Sequence, residues 1–166
     1  DAGGWFSQVY EGEPVPTLEE VIKEIGPFAK LNIEIKYNKK ESDITKYVVD
    51  IIERNDFVDR CVVTSSDYTV LHEVKELNPD IQTGYVLSAA YGAYYSIGYV
   101  DVISINYSFV NKALVDAVHR YGKEIYVWTV NSPSVVKSLA NMGVDNIITD
   151  DPVMAREAVY SRYTGK

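Results

Sequence analysis

Short apolar runs alternate with amphipathic stretches along almost the whole chain. Strand patterns fall near residues 31–36, 60–65, 83–88, 100–106, 124–130 and 145–149. Helix patterns follow near 43–54, 67–77, 90–96, 111–121, 133–142 and 152–162. An earlier helix starts at Pro16-Thr17-Leu18-Glu19-Glu20, with Thr17 placed as N-cap and Glu20 as its capping-box partner. Ser132 before Pro133 and Asp151 before Pro152 read as N-caps with proline at the first helical position. Asn78-Pro79 and Gly122 close the helices before them. Strand and helix units in this succession predict an α/β fold with a parallel sheet, either doubly wound or part of a (β/α)₈ barrel.

Two features favour the barrel. No glycine-rich dinucleotide fingerprint follows the first strand. A polar residue also closes nearly every strand: Lys36, Ser65, Ser88, Asn106, the stretch from Trp128 to Asn131, and Asp150. The carboxyl ends of the strands are where α/β folds carry their sites.

One strand differs from the rest. In Leu31-Asn32-Ile33-Glu34-Ile35-Lys36, side chains at alternate positions share a face, so Asn32, Glu34 and Lys36 point one way and the aliphatic residues the other. The remaining strands read as apolar on both faces, as parallel strands under helices do. A carboxylate and an ammonium two residues apart form either an ion pair on a half-exposed strand or part of a metal or phosphate site.

Composition then narrows the function classes. The 166 residues are one domain's worth of chain, 46% hydrophobic and 24% charged, which is a globular balance. A net charge of −8 argues against nucleic acid as a partner, because phosphate backbones attract basic surfaces. The single cysteine, Cys61, lies inside an apolar strand and reads as a buried, inert thiol. Residues 81–100 carry no charge and have the length of a membrane span. They nonetheless hold three glycines and five tyrosines, and read as a strand, a loop and a short helix. No signal peptide is evident, and Asp1 in place of an initiating methionine reads as a cut end. Localisation stays open.

Four segments in order resemble the glycerophosphodiester phosphodiesterase family. Val15-Pro16-Thr17-Leu18-Glu19-Glu20 resembles that family's helix start, and Leu31-Asn32-Ile33-Glu34-Ile35-Lys36 its metal-binding strand. Tyr126-Val127-Trp128-Thr129-Val130-Asn131 resembles its seventh barrel strand, and residues 143–152 (Gly-Val-Asp-Asn-Ile-Ile-Thr-Asp-Asp-Pro) its eighth. The resemblance implies a TIM-type barrel enzyme that hydrolyses glycerophosphodiesters to glycerol 3-phosphate and an alcohol, with Ca²⁺ or Mg²⁺ as cofactor. By matching position it implies Glu34 as a metal ligand, Lys36 as the cation facing the phosphate and Trp128 as the aromatic wall of the substrate site. On its residues alone, Trp128 is equally a core aromatic.

The departures from the family pattern shape the expectation. The family's general acid and base are two histidines, one in a His-Arg-Gly motif on the first strand and one after the second, and a Glu-x-Asp pair on the second strand adds metal ligands. None of these motifs occurs here. Ser66 stands where the family's Ser-Phe-Asp pattern has phenylalanine, between matching Ser65 and Asp67. Residues 1–15 resemble the end of the insertion after the second strand. The expectation is therefore an incomplete barrel, strands three to eight, as a single domain over residues 1–166. Its open edges would pair with the missing N-terminal segment or with another copy of the chain. Such a chain would be inactive alone; the alternative is a non-catalytic module that binds a phosphate-bearing ligand or pairs with another barrel fragment. His72 and His119, placed on helices, read as structural or surface residues, and Asp150 and Asp151 as helix caps. The tyrosines of residues 91–99 would either line the alcohol side of the substrate or cover a barrel edge.

Overall fold

The computed structural model describes residues 1–36, 43–89 and 92–160. Strands β1 (Leu31–Glu34), β2 (Cys61–Ser65), β3 (Gln82–Leu87), β4 (Val102–Asn106), β5 (Glu124–Trp128) and β6 (Asn146–Ile147) form one sheet in chain order. Every neighbouring pair is parallel. Helix α1 (Leu18–Ile25) precedes β1, α2 (Ile44–Arg54) and α3 (Tyr68–Leu77) follow β1 and β2, and α4 (Lys112–Arg120), α5 (Pro133–Met142) and α6 (Pro152–Tyr160) follow β4, β5 and β6. No helix among the described residues is long and apolar enough to cross a membrane.

Local signals place these elements. The capping box at α1 is formed: the Glu20 N–H donates to Thr17 Oγ1 at 3.3 Å, and the Thr17 N–H donates to Glu20 Oε2 at 2.8 Å. Asp67 caps α3 through the Thr69 N–H at 2.9 Å, and Asp151 caps α6 through the Met154 N–H at 2.9 Å. Gly143 ends α5 at φ 87°, the left-handed backbone that glycine adopts without a Cβ penalty. Ser132 precedes α5 as expected, but its hydroxyl meets that of Ser134 at 3.0 Å and bonds no helix N–H. The helix expected over residues 90–96 is a single 3₁₀ turn at Tyr94–Ser96, with Ala90 and Tyr91 outside the described residues. Gly92 at φ 80° precedes it, a backbone conformation that breaks a right-handed helix.

The outward face of the sheet makes the core. Cys61, Val63 and Ile35 pack with Ile22, Val49, Ile52 and Val74 beneath the first three helices. Ile103, Ile105, Ile125 and Val127 pack with Val115, Val118, Val136 and Leu139 beneath the last three. Burial pushes the Cys61 thiol up to about 11, which makes it the inert thiol anticipated.

The opposite face is concave. In a barrel of shear eight, inward side chains of alternate strands share a layer, so a layer climbs about one residue per strand. Applied to the observed register, Glu34, Val86 and Trp128 of the odd strands share one layer. Thr64, Ser104 and Ile148, contributed by or following the even strands, share the layer beneath. All six line a single hollow of about 400 Å³, so the sheet is curled as a half-barrel. This corrects the reading of the later strands as apolar on both faces: their inner positions carry Thr64, Gly84 and Ser104.

At the amino ends of the strands a polar knot fixes the bottom. Asp101 accepts from the Thr83 N–H and from Lys75 Nζ, both at 2.8 Å. Lys123 donates to the carbonyls of Ile97, at 2.7 Å, and of Val100. Burial holds its ammonium below the usual lysine range, and Asp101 opposes that shift.

Gly84 is closely packed on the inner face. A Cβ there would meet Thr64 Cγ2 at 2.7 Å and Val102 Cβ at 3.3 Å. Gly84→Ala is therefore expected to lower stability by roughly 1–3 kcal/mol, the ordinary cost of overpacking. An unchanged urea-unfolding midpoint would show that the strands separate freely at this row.

Candidate active site

The hollow opens at the carboxyl ends of the strands and is lined by Asn32, Glu34, Lys36, Thr64, Val86, Ser104, Trp128, Thr129 and Ile148. Asn32 and Glu34 reach it from β1, and Lys36 lies two residues past Glu34 on the same face, as the alternation requires. The ladder continues past β1, where the Ile35 N–H donates to the Thr64 carbonyl at 2.8 Å and Ile35 stays buried behind the pair.

Lys36 Nζ stands 3.9 Å from Glu34 Oε2, with side chains 83% and 43% exposed. Contact confirms the ion-pair geometry. At that exposure and distance the pair contributes little stability, on the order of 0–1 kcal/mol. Fold stability therefore gives no strong reason for these two charges to sit in the mouth.

Trp128 closes the opposite wall. Its indole Nε1 is buried and has no hydrogen-bond partner among the described residues. It thus has both characters considered from sequence: half-buried against the barrel, and part of the lining of the hollow. The Trp128–Thr129 peptide bond is cis.

The remaining polar strand ends do other work. The Ser65 hydroxyl donates to the Ile35 carbonyl at 2.8 Å and accepts from the Asp67 N–H at 3.1 Å, shaping the loop at Ser66. Asn106 accepts from the Ser108 N–H at 3.0 Å and caps a short turn. Asn131 latches the loops after β5 and β6. Its Nδ2 donates to Asp150 Oδ2 at 2.7 Å, and its Oδ1 accepts from the Asp150 N–H and from Thr149 Oγ1, both at 3.0 Å.

Both histidines lie away from the mouth. His72 on α3 faces Glu76 at 3.8 Å and the Tyr99 ring at 4.9 Å. His119, near the end of α4, bonds Asp145 at 2.9 Å, and that carboxylate also accepts from the Ile125 N–H at 2.8 Å. The described tyrosines of residues 91–99 do not line the hollow: Tyr94 is in the core, and Tyr95 and Tyr99 pack against it. No group of three or more histidine, cysteine, aspartate or glutamate side chains suited to a metal occurs among the described residues. Sequence reasoning had not assigned Thr64, Ser104, Val86, Thr129 or Ile148 to the site. The available signal was a small or hydroxyl-bearing residue at alternate positions of otherwise aliphatic strands.

Six parallel strands curled around a mouth that gathers a carboxylate, an ammonium and an indole define an α/β protein of the TIM-like barrel class. The sequence profile of the glycerophosphoryl diester phosphodiesterase family matches residues 1–154, and the chain belongs to that family. It is 29% identical over 157 residues to a glycerophosphodiester phosphodiesterase of Caldanaerobacter subterraneus subsp. tengcongensis, covering 92% of this chain and 65% of that protein. It is 27% identical to the glycerophosphodiester phosphodiesterase GDPD4 of Arabidopsis thaliana, covering 84% of this chain and 45% of that one. Among solved structures, an Oleispira antarctica phosphodiesterase in complex with the product sn-glycerol-3-phosphate superposes with a TM-score of 0.85 at 28% identity. That match covers 96% of this chain and 67% of the neighbour. The chain thus spans about half to two thirds of the length of these relatives.

Two measurements probe this geometry. Asn131→Ala removes three hydrogen bonds that tie the last two loops together, with an expected loss of roughly 1–3 kcal/mol. Faster hydrogen exchange at the Val130 and Ile148 amides should accompany it; unchanged exchange would mean the latch is slack. Tyr126, on the inner face, has its phenol pushed up to about 12 by burial, with Glu124 beside it adding to the effect. The folded chain holds that proton more tightly than the unfolded one, whose phenol titrates near 10. This contribution to stability is complete below pH 10 and is lost as pH rises through 12. Tyr126→Phe should therefore lose less stability than the parent between pH 9 and 12, read by urea unfolding at each pH.

Proposed function

We propose that this chain is the carboxyl-terminal portion, strands three to eight, of a metal-dependent enzyme. That enzyme would hydrolyse glycerophosphodiesters to glycerol 3-phosphate and an alcohol. The observation that carries this reading is the convergence of Glu34, Lys36 and Trp128 on one mouth of a family barrel. The structural neighbour that holds sn-glycerol-3-phosphate supports the substrate class.

The chemistry follows from the charges. Hydrolysis of a phosphodiester builds negative charge on the phosphoryl oxygens, and the exposed ammonium of Lys36 is free to swing onto them. Trp128 walls the organic part of the substrate and excludes water from one side. Glu34 would be a carboxylate ligand to Ca²⁺ or Mg²⁺. The described residues do not by themselves fit such an ion, because calcium takes about six to eight oxygens and Glu34 is the one carboxylate that lines the hollow. Neither histidine stands at the mouth, since His72 and His119 are both on helices. Strands β1 and β6 each have a neighbour on one side only among the described residues. The missing two strand–helix units would close the barrel there, supplying the acid–base pair and further ligands, with residues 1–15 ending the insertion that joins them.

The test is release of glycerol 3-phosphate from glycerophosphocholine with Ca²⁺ or Mg²⁺ present. The chain alone is expected to release none, and a protein carrying the two additional units should turn over. In that longer protein Glu34→Gln and Lys36→Met should each lower kcat by roughly a hundredfold or more. Turnover by the chain alone would overturn the assignment of the acid–base step. The second reading is a non-catalytic phosphate-binding or barrel-pairing module. Ligand binding with no turnover in the longer protein would establish it.

A further inference from the structure

We propose that the loop of residues 1–13 is a membrane-docking tip that lays its aromatic side chains into the headgroup region of a zwitterionic lipid surface. The proposal rests on that loop alone and stands whether or not the hydrolytic reading of the mouth holds.

The loop is folded on itself with its apolar side chains outward. Trp5 is 84%, Phe6 70%, Val9 84% and Tyr10 48% exposed. They form one patch: the Trp5 and Phe6 rings lie 5.8 Å apart and those of Phe6 and Tyr10 6.0 Å apart. Contiguous apolar groups of this kind mark a surface that meets something other than water. The polar groups of the same loop are turned to one another. The Ala2 N–H donates to the Glu13 carbonyl at 2.7 Å and closes the loop. The Phe6 and Ser7 N–H groups donate to the Gly3 carbonyl at 2.9 and 3.2 Å, and the Tyr10 N–H to the Ser7 carbonyl at 2.9 Å. The Asp1 carboxylate accepts from the Gly3 and Gly4 N–H groups at 3.0 and 2.8 Å, and the Trp5 indole donates to the Ala2 carbonyl at 2.8 Å. A Cβ on Gly3 would collide with the Tyr10 carbonyl, so the loop closes tightly behind its rings.

Those internal bonds choose the occupant. A protein partner pairs its polar rim with donors and acceptors, and this tip has spent most of its own. A lipid surface asks the reverse, that backbone groups entering it be satisfied from within. Tryptophan, tyrosine and phenylalanine are also the side chains that settle at the headgroup level. Charge then selects the lipid. Residues 2–10 carry no charge, and residues 1–15 hold Asp1, Glu11 and Glu13 with no lysine or arginine. An anionic bilayer would repel such a loop, whereas a zwitterionic one would not. The placement fits as well. Residues 14–17 lead from the loop to the start of α1, whose Leu18 and Ile22 share one apolar cluster with Ile35. Residues 26–30 join the end of α1 to Leu31 at the amino end of β1, so α1 runs antiparallel to that strand. The tip therefore stands at the carboxyl ends of the strands, on the side where the mouth opens.

The test is co-sedimentation of the whole chain with phosphatidylcholine vesicles, together with quenching of its indole emission by lipids brominated near the headgroup. The chain is expected to sediment with the vesicles and its emission to fall. Trp5→Ser and Phe6→Ser should each lower the partition coefficient by roughly tenfold, and their exposure makes both harmless to the fold. Tyr121→Ser, which removes an exposed ring elsewhere, should leave it within about twofold. Trp5→Phe keeps an aromatic ring and leaves Trp128 as the sole indole, so it should still bind and lose the quenching. Replacing a third of the lipid by phosphatidylglycerol should weaken binding several-fold, by an amount that added salt reverses. Absence of sedimentation, tighter binding to the anionic vesicles, or quenching that persists in Trp5→Phe each overturns the proposal. A dimer that Trp5→Ser dissolves, without vesicle binding, would assign the tip to a second copy and overturn it too. So would loss of binding in the longer protein with the two additional units, which would show that those units cover the tip.

Discussion

The register of the parallel ladder is the constraint on which the molecule depends. Side chains alternate with a period of two, so a slip of one residue in β1 would send Glu34 and Lys36 behind the sheet and bring Ile33 and Ile35 into the mouth. What holds the register is the outward face. Ile35, Val63, Ile103, Ile125 and Val127 are at most 3% exposed, and each fits a helix packed across it. Apolar burial outside thus fixes polar placement inside. The polar knot of Asp101, Lys75, Thr83 and Lys123 pins the amino ends of β3, β4 and β5, leaving the carboxyl ends as the face that varies.

Much of this was readable in the order of residues. The strand and helix positions followed from hydrophobic period, and their limits moved by only a few residues in the structure. Thr17 with Glu20, and Asp151 before Pro152, announced helix starts because capping is a local bond between near neighbours. Local bonds did not settle everything. Ser132 has the right type and place for a cap and spends its hydroxyl elsewhere, and the tyrosine-rich run forms one 3₁₀ turn in place of a helix.

The site was legible only where its residues stood out as charges. Glu34 and Lys36 were visible because a charged face is rare in a parallel sheet, and Trp128 because of the motif around it. Thr64 and Ser104 were not, because a single hydroxyl in a valine-rich run looks like any other tolerated polar residue. They stand on β2 and β4, 40 residues apart in sequence, and only the ladder through β3 brings them to one hollow. Asn131 was hidden for the same reason: its partners, Thr149 and Asp150, are 18 and 19 residues away.

Cys61 carries a consequence of another kind. It sits where β2 begins, 4% exposed, its Sγ 3.7 Å from the Val58 carbonyl, and it is the sole sulfhydryl of the chain. An alkylating reagent reaches it only when the corner between α2 and β2 opens, since the protonated, covered thiol is unreactive. The rate of its labelling is therefore a built-in clock for fluctuations at the back of the sheet.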